Sequence, residues 1–273
     1  MKLVQQSVEY LPQEDLFKQI ELAARTCYKS EDKITDDSAK KMVDGLIKAG
    51  HNAMLEHGTI YLKYFWSGSV CDCCNQIRPD EILDFYCQNP YSRIVYHGND
   101  LYITTNYRVL IENSRLDDLK YQCEPTEYHI KRYTFRLTTS ISIVRELIRH
   151  RAFSFANEST RYVNLNKKGE YLFIKPYWFD GIIERCQEAF IDTCNQSIYS
   201  YQQLLYDGLL PQAAREVLPL CTKSELVMTG FEDDWKRFLK IRLEGTTGKP
   251  HPDMVELAKM IKDKLDKIKD NGD

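Results

Sequence analysis

The feature that most constrains this chain is a group of basic residues near its middle, in the segment RHRAFSFANESTRY from Arg149 to Tyr162. Within thirteen residues, from Arg149 to Arg161, the segment holds three arginines, an imidazole, hydroxyl groups and a carboxamide. Clustered arginines repel one another and bury poorly without anionic partners, so folding alone rarely requires this arrangement. Because the guanidinium fork matches phosphate and carboxylate geometry, the segment predicts a site for a small anionic ligand.

A cationic helix end would explain one or two of these charges, but not the serine and arginine that follow them. Arg215 and Arg242 lie among apolar neighbours, so each is either a structural ion-pair partner or a clamp on a ligand. Glu146 lies one helical turn before His150, where it is either a surface ion-pair partner or a hydrogen-bonding group for a ligand.

Composition limits the kind of partner. The chain has 273 residues, 43% of them hydrophobic, and a net charge of −3, which argues against binding of bulk nucleic acid. No apolar run approaches the length of a membrane span, and the first residues lack the apolar core of a signal peptide. We therefore expect a protein without nucleic-acid or membrane partners.

The nine cysteines form no regular framework, so we expect reduced thiols and a cytoplasmic location rather than a disulfide-linked secreted fold. Cys71, Cys73 and Cys74 are close together, but their spacing lacks the two separated pairs of a zinc site, and we predict no metal. Cys221 is the cysteine to examine as a nucleophile, although packing is the expected role.

The apolar pattern predicts an α/β (α+β) fold, a mixed sheet flanked by helices with a mainly helical C-terminal half. We expect a strand over residues 129–138, a helix over 140–148 and a last helix over 252–269. Thr222 to Glu225 has the pattern of a capping box, which predicts that another helix begins there. The chain is expected to be one domain, 1–273, with an insertion at 67–127.

Several blocks match a known pattern. RHR, seven residues, serine, one residue and arginine is the signature of the flavin-dependent thymidylate synthases, and residues 149–161 satisfy it. The upstream GH…EH segment is similar to residues 50–57, the G-x-P…AR…LP block to residues 208–220, and the final arginine and histidine block to residues 235–252. The chain resembles this family over most of residues 14–65 and 128–265, whereas 67–127 has no counterpart in compact members.

The resemblance implies methylation of dUMP to dTMP, with methylenetetrahydrofolate as the carbon donor and NADPH as the reductant of FAD. It also implies a homotetramer whose active sites lie at subunit interfaces. The ligands would therefore be small molecules: dUMP, the folate, NADPH and FAD.

The resemblance also implies roles for individual residues. The predicted FAD ligands are His51, Arg149, His150, Arg151, Asn157, Arg237 and His251. The predicted dUMP ligands are Glu146, Arg149, Asn157, Ser159, Thr160, Arg161, Arg215 and Arg242. Arg242 would also be catalytic, because a guanidinium against the uracil can stabilise negative charge on the ring.

Two other interpretations remain open at this point. A nucleotide- or nucleic-acid-binding module could use the same arginines without chemistry, and bound flavin would distinguish it from an enzyme. A thymidylate synthase of the classical type would need a cysteine nucleophile, and no segment of the chain resembles its cysteine loop.

Overall fold

The computed structural model of the protein describes residues 1–65, 81–165 and 169–270. The strands are β1 (Lys2–Val4), β2 (Ser7–Tyr10), β3 (Thr59–Phe65), β4 (Arg93–His97), β5 (Asp100–Asn106), β6 (Arg132–Ser140), β7 (Ser154–Asn157), β8 (Leu172–Ile174) and β9 (Lys223–Phe231). The helices are α1 (Leu16–Tyr28), α2 (Ser38–Lys48), α3 (Glu81–Gln88), α4 (Tyr107–Glu112), α5 (Ile141–Leu147), α6 (Glu184–Tyr206), α7 (Pro211–Ala214), α8 (Glu232–Arg242) and α9 (Pro252–Asp270). The predicted α/β class is confirmed.

The central sheet has the strand order β2-β6-β9-β7 and is antiparallel throughout. β6 and β9 pair along their full lengths, from Arg132 opposite Phe231 to Ser140 opposite Lys223. The short strand β7 pairs with the other edge of β9, and it joins the two parts of the arginine-rich segment. This sheet therefore positions the residues that the sequence singles out.

The prediction of a helix beginning at Thr222–Glu225 is wrong, because this segment leads into β9. β9 lies between two neighbouring strands, and its residues Leu226, Val227 and Met228 are completely buried. A strand covered on both faces has a continuous apolar run rather than an alternating pattern. The next helix, α8, begins only at Glu232. Three acidic residues occupy its first turn, where their negative charges interact favourably with the helix dipole.

Helices cover both faces of the central sheet. On one face α5, α8 and α9 pack against Phe135 and Met228, with Trp235 and Leu257 completely buried at the centre. The indole Nε1 of Trp235 donates a hydrogen bond to the carbonyl of Tyr133 at 3.2 Å, which joins α8 to β6. On the other face, α1 packs its small residues against the sheet. The predicted helices over 140–148 and 252–269 correspond to α5 and α9 and are confirmed.

The segment 67–127 contains α3, β4, β5 and α4 among its described residues. β5 pairs with β3 on one side and β4 on the other, so strands of this segment extend a sheet that begins before it. Its buried residues Tyr86, Leu101 and Leu110 share one apolar core with Ile20 and Leu55. That the segment is an insertion within one domain remains a prediction.

The prediction of no metal at Cys71, Cys73 and Cys74 concerns residues that lie outside the described part of the chain. Cys221 is half-buried in an apolar cluster that includes Phe173, and its Sγ lies 3.8 Å from the Sγ of Cys194. This contact fits the packing role expected of Cys221. None of the helices in the described ranges is long and apolar enough to span a bilayer.

Candidate active site

The RHR motif follows α5, and α5 begins directly after β6, one of the two central strands of the sheet. Ser140 caps this helix, since its hydroxyl accepts a hydrogen bond from the backbone N–H of Ile143 at 3.3 Å. The buried face of α5 holds it against the core, and the chain then turns so that the N–H of Phe153 donates to the carbonyl of His150 at 3.1 Å. Arg149 and Arg151 are left exposed, whereas His150 is half-buried.

The first cluster consists of Glu146, His150 and Arg242. The Nε of Arg242 donates to the Nε2 of His150 at 2.8 Å. Its Nη1 donates to the Oε2 of Glu146 at 2.8 Å, and its Nη2 donates to the backbone carbonyl of Glu146 at 3.1 Å. Because three separate bonds fix the guanidinium, its plane and its direction are both determined.

The imidazole of His150 is neutral in this cluster. Burial, together with the positive charges of Arg242, Arg149 and Arg237, lowers its pKa to about 4. Since Nε2 accepts from Arg242, the neutral ring carries its proton on Nδ1. The edge of the ring packs against Phe238 on α8, with centroids 4.9 Å apart. His150 therefore offers a ligand a fixed N–H donor and no charge.

The second cluster consists of Ser159, Thr160, Arg161 and Arg215. The hydroxyl of Ser159 accepts hydrogen bonds from the backbone N–H groups of Arg161 and Tyr162, at 3.3 and 3.4 Å. The Nη1 of Arg215 donates to the Oγ1 of Thr160 at 3.1 Å. Two guanidiniums, two hydroxyls and a tight turn are a donor set for a phosphate.

One residue of this second region was missed by the sequence analysis. Gln212 lies in α7, and its Oε1 accepts a hydrogen bond from the Nε of Arg161 at 3.2 Å. Pro211 begins the short helix α7, which carries Gln212. Arg215 comes three residues after Gln212, at the end of this helix. Only that spacing, with the proline before it, could have indicated that the two residues share a surface.

Along the chain, β7 separates the parts of the two clusters that belong to the arginine-rich segment, since Glu146 and His150 precede Ser154 and Ser159–Arg161 follow Asn157. Among the described residues, no hydrogen bond or ion pair joins a member of the first cluster to a member of the second. Asn157 itself is exposed, and its Oδ1 accepts from the hydroxyl of Ser224 at 3.0 Å. A single chain thus presents two separate groups of anion-binding residues.

The other predicted flavin ligands are distributed around these clusters. Arg237 lies on α8 and is exposed, close enough to His150 for its charge to lower that pKa. His51 is exposed in the turn after α2. His251 precedes α9, and its Nδ1 accepts from the N–H of Asp253 at 3.2 Å. The structure brings neither His51 nor His251 into contact with the two clusters.

Arg151 lies beside residues of the segment between α3 and β5. With Tyr91, Arg93 and Arg132 it lines a cavity of about 320 Å³. Burial lowers the pKa of Arg132 to about 10, which still leaves this guanidinium charged at neutral pH. The lining of this cavity thus includes three guanidiniums and the carboxylate of Glu56.

The pKa of a second histidine gives a stability prediction. His57 is completely buried, its Nδ1 lies 2.8 Å from the Oγ1 of Thr229, and burial lowers its pKa from 6.5 to about 3. The unfolded chain takes up a proton near pH 6.5, whereas the folded chain does not, so stability is lost as the pH falls below 6.5. We expect His57 alone to lower the free energy of unfolding by about 1.4 kcal/mol per pH unit in that range.

Denaturant titrations of the wild type and of a His57→Gln variant between pH 6.5 and 4.5 measure this slope, and the difference between the two proteins separates His57 from the other groups that titrate in this range. His57→Gln removes the titrating group and should give a flatter dependence. An identical slope in the wild type and the variant would mean that His57 is not protonated differently in the two states.

The structure is that of an α/β protein with two arginine-containing clusters, one of which includes a guanidinium fixed against a neutral imidazole. The family model described as thymidylate synthase complementing protein matches residues 124–269, just over half of the chain. The chain belongs to this family. The match contains β6 to α9, and therefore both clusters.

Curated relatives share this region. The flavin-dependent thymidylate synthase of Synechocystis sp. is 26% identical over 145 residues, and the match covers 47% of this chain and 64% of that protein. The flavin-dependent thymidylate synthase of Haloarcula marismortui is 34% identical over 112 residues, and the match covers 33% of this chain and 45% of that protein. The chain thus matches less than two thirds of the length of these relatives.

A solved structure is also similar. The UMP/dUMP methylase of Streptomyces cacaoi, bound with 5-Br dUMP, superimposes with a TM-score of 0.49 at 18% sequence identity. The superposition covers 98% of this chain and 93% of that chain.

Proposed function

We propose that the protein is a flavin-dependent thymidylate synthase, a methyltransferase that converts dUMP to dTMP. Methylenetetrahydrofolate supplies the carbon, and NADPH reduces the FAD that the enzyme binds. The observation that carries this proposal is the fixed guanidinium of Arg242 beside a neutral His150, on the same chain as a separate phosphate-type donor set. The family membership and the names of the relatives support it.

The second cluster would hold the phosphate of dUMP. Ser159, Thr160 and Arg161 supply hydroxyl and guanidinium donors from one turn, and Arg215 adds a second cation from the end of α7. Charge-assisted bonds of this kind are about twice as strong as neutral ones, so they would anchor the nucleotide. The bond between Arg215 and Thr160 keeps this guanidinium in place before the substrate arrives.

The first cluster would bind the base of dUMP and the flavin. Arg149 and Arg151 are exposed, and among the described residues no carboxylate forms an ion pair with either, so both fit an anionic cofactor. When bound, the FAD supplies the hydride chemistry. Arg242 would stabilise the negative charge that develops on the uracil, and Glu146 and His150 would hold its guanidinium in the required orientation.

The separation of the clusters supports a homotetramer with active sites at subunit interfaces. The first cluster of one subunit would then face the second cluster of another, and together they would enclose the substrate. Exposed apolar side chains near the second cluster, among them Leu210 at 63% and Tyr206 at 86%, would be covered by such contacts. We also propose a cytoplasmic location, which the free thiols of the six described cysteines favour.

The absorption spectrum of the purified protein tests the proposal. We expect the two visible bands of an oxidised flavin, either directly or after addition of FAD, and a change in these bands when dUMP binds beside the cofactor. A nucleotide-binding module without redox chemistry is expected to purify without flavin bands. A colourless protein that cannot be reconstituted with FAD would contradict the proposal.

A further inference from the structure

Four charged side chains lie together next to the Ser159–Arg161 turn, and none of them belongs to either cluster. They are Lys29, Glu158, Lys223 and Glu225, here called the buried ion group, with side-chain exposures of 8%, 7%, 12% and 17%. The Nζ of Lys223 contacts Glu158 at 3.1 Å and also contacts Glu225. Lys29 contacts Glu225 from the end of α1.

Glu225 and Lys223 both remain charged at neutral pH. Burial alone would raise the pKa of Glu225, but hydrogen bonds and charges from Lys223 and Lys29 outweigh it and lower this pKa to about 2. Burial would likewise lower the pKa of Lys223, yet the two glutamates raise it. Two positive and two negative charges thus balance one another inside the protein, with Glu31 at 3.5 Å from Lys29 as a further partner.

The buried ion group is tied to the backbone at the start of the Ser159–Arg161 turn. The N–H of Glu158 donates to the carbonyl of Glu225 at 2.7 Å, and the N–H of Glu225 donates to the carboxylate of Glu158 at 3.2 Å. The N–H of Ser159 donates to the carbonyl of Cys27 at 2.9 Å. The turn is therefore fastened both to β9 and to the end of α1.

The direction of Glu158 fixes the directions of its neighbours. In extended backbone, successive side chains point to opposite sides. Burial follows such an alternation here, because Glu158 is buried and contacts Lys223, whereas Asn157 is exposed and Ser159 is half-buried. An anchored Glu158 thus presents the hydroxyl of Ser159 at the surface.

Stability alone does not explain such a group, because a buried ion pair is often no more stable than an apolar pair of the same size, whereas it can specify one geometry. We propose that Glu158 and Lys223 are positioning residues that hold the Ser159–Arg161 turn in the conformation that binds the substrate's phosphate. The inference rests on the proposed function, since it takes this turn as the phosphate site.

A cavity of about 170 Å³ adjoins the group and is lined by Lys29, Glu158, Lys223 and Glu225 together with Leu165 and Tyr171. This space lets the side chains rearrange when one charge is removed. We therefore expect the turn to shift rather than to stay in place without its anchor.

The test is Glu158→Gln in the full-length protein with FAD bound. The glutamine can still accept from the backbone of Glu225, but it leaves Lys223 with one carboxylate fewer. We expect dUMP affinity, measured by calorimetry, to fall about 10- to 100-fold, because small displacements of positioning groups have effects of this size. We expect KM for dUMP to rise in parallel, while kcat at saturating dUMP and the amount of bound FAD stay near the wild-type values.

Asp266→Asn is the matched control, because it removes one carboxylate from the exposed pair Lys262–Asp266 on α9 and should change none of these quantities. An unchanged dUMP affinity in a folded Glu158→Gln variant would overturn the inference. A general decrease in kcat, bound FAD and thermal stability, with no larger decrease in dUMP affinity, would also overturn it. Wild-type protein that does not bind dUMP would contradict the proposed function instead.

If Glu158→Gln fails to fold, the double variant Glu158→Leu with Lys223→Met replaces the ion pair by apolar side chains and should fold. Weak dUMP binding by this variant would support a positioning role. Wild-type affinity would show that the pair only fills space.

Discussion

Arg242→Lys should lower kcat by about 100-fold or more while changing the KM for dUMP much less. The arginine makes three directed bonds, one to His150 and two to Glu146, and a lysine ammonium on a flexible stem cannot reproduce this geometry. The charge is retained, so general attraction of an anionic substrate should persist. What is lost is a guanidinium preorganised for charge that develops only in the transition state. Steady-state kinetics with dUMP as the varied substrate measures both constants.

Arg145→Lys is the control for this change, because Arg145 is exposed on the same helix as Glu146 and has no assigned role in either cluster. It should leave both constants unchanged. An Arg242→Lys enzyme with wild-type kcat at saturating dUMP would show that Arg242 only binds substrate.

Arg215→Ala should have a different effect, a loss of dUMP affinity with most of kcat retained at saturation. Removal of one charged hydrogen bond costs about 1.5–3 kcal/mol, which corresponds to roughly 10- to 150-fold in affinity. The variant also leaves the hydroxyl of Thr160 without the guanidinium that it now contacts. Calorimetry with dUMP, together with steady-state kinetics, gives the two quantities separately.

Arg185→Ala on α6 is a suitable control, since this arginine is also exposed. If Arg215→Ala bound dUMP as tightly as the wild type, the second cluster would not be the phosphate site. If Arg215→Ala and Arg242→Lys both lost only affinity, the division of roles between the clusters would be wrong.

Local sequence patterns predicted much of the framework. The apolar spacing of α9 indicated that helix, because helix periodicity is a local property of the sequence. β9 was misassigned for the complementary reason. Its apolar run reflects two neighbouring strands that come from residues about 90 and 70 positions away, and a four-residue capping pattern at its start suggested a helix.

The site could be predicted only in part. The residue types of the segment 149–161 indicated anion binding, but nothing in their spacing showed that β7 would separate them into two clusters. Contacts such as that of Arg242 with His150 join residues 92 positions apart and depend on the packing of α8 against α5. The sequence did not indicate a role for Glu158, because this role depends on the contact with Lys223 of β9, which forms only when the chain folds.

The most direct test of the account is formation of dTMP by the purified protein. Reactions contain dUMP, methylenetetrahydrofolate, NADPH and FAD, and parallel reactions omit one component each, with dTMP quantified by chromatography. The account predicts dTMP in the complete mixture and none when dUMP, the folate or the reductant is absent, or when the flavin has been removed from the protein. Absence of dTMP in the complete mixture from protein that carries FAD, or undiminished dTMP from flavin-free protein, would contradict it.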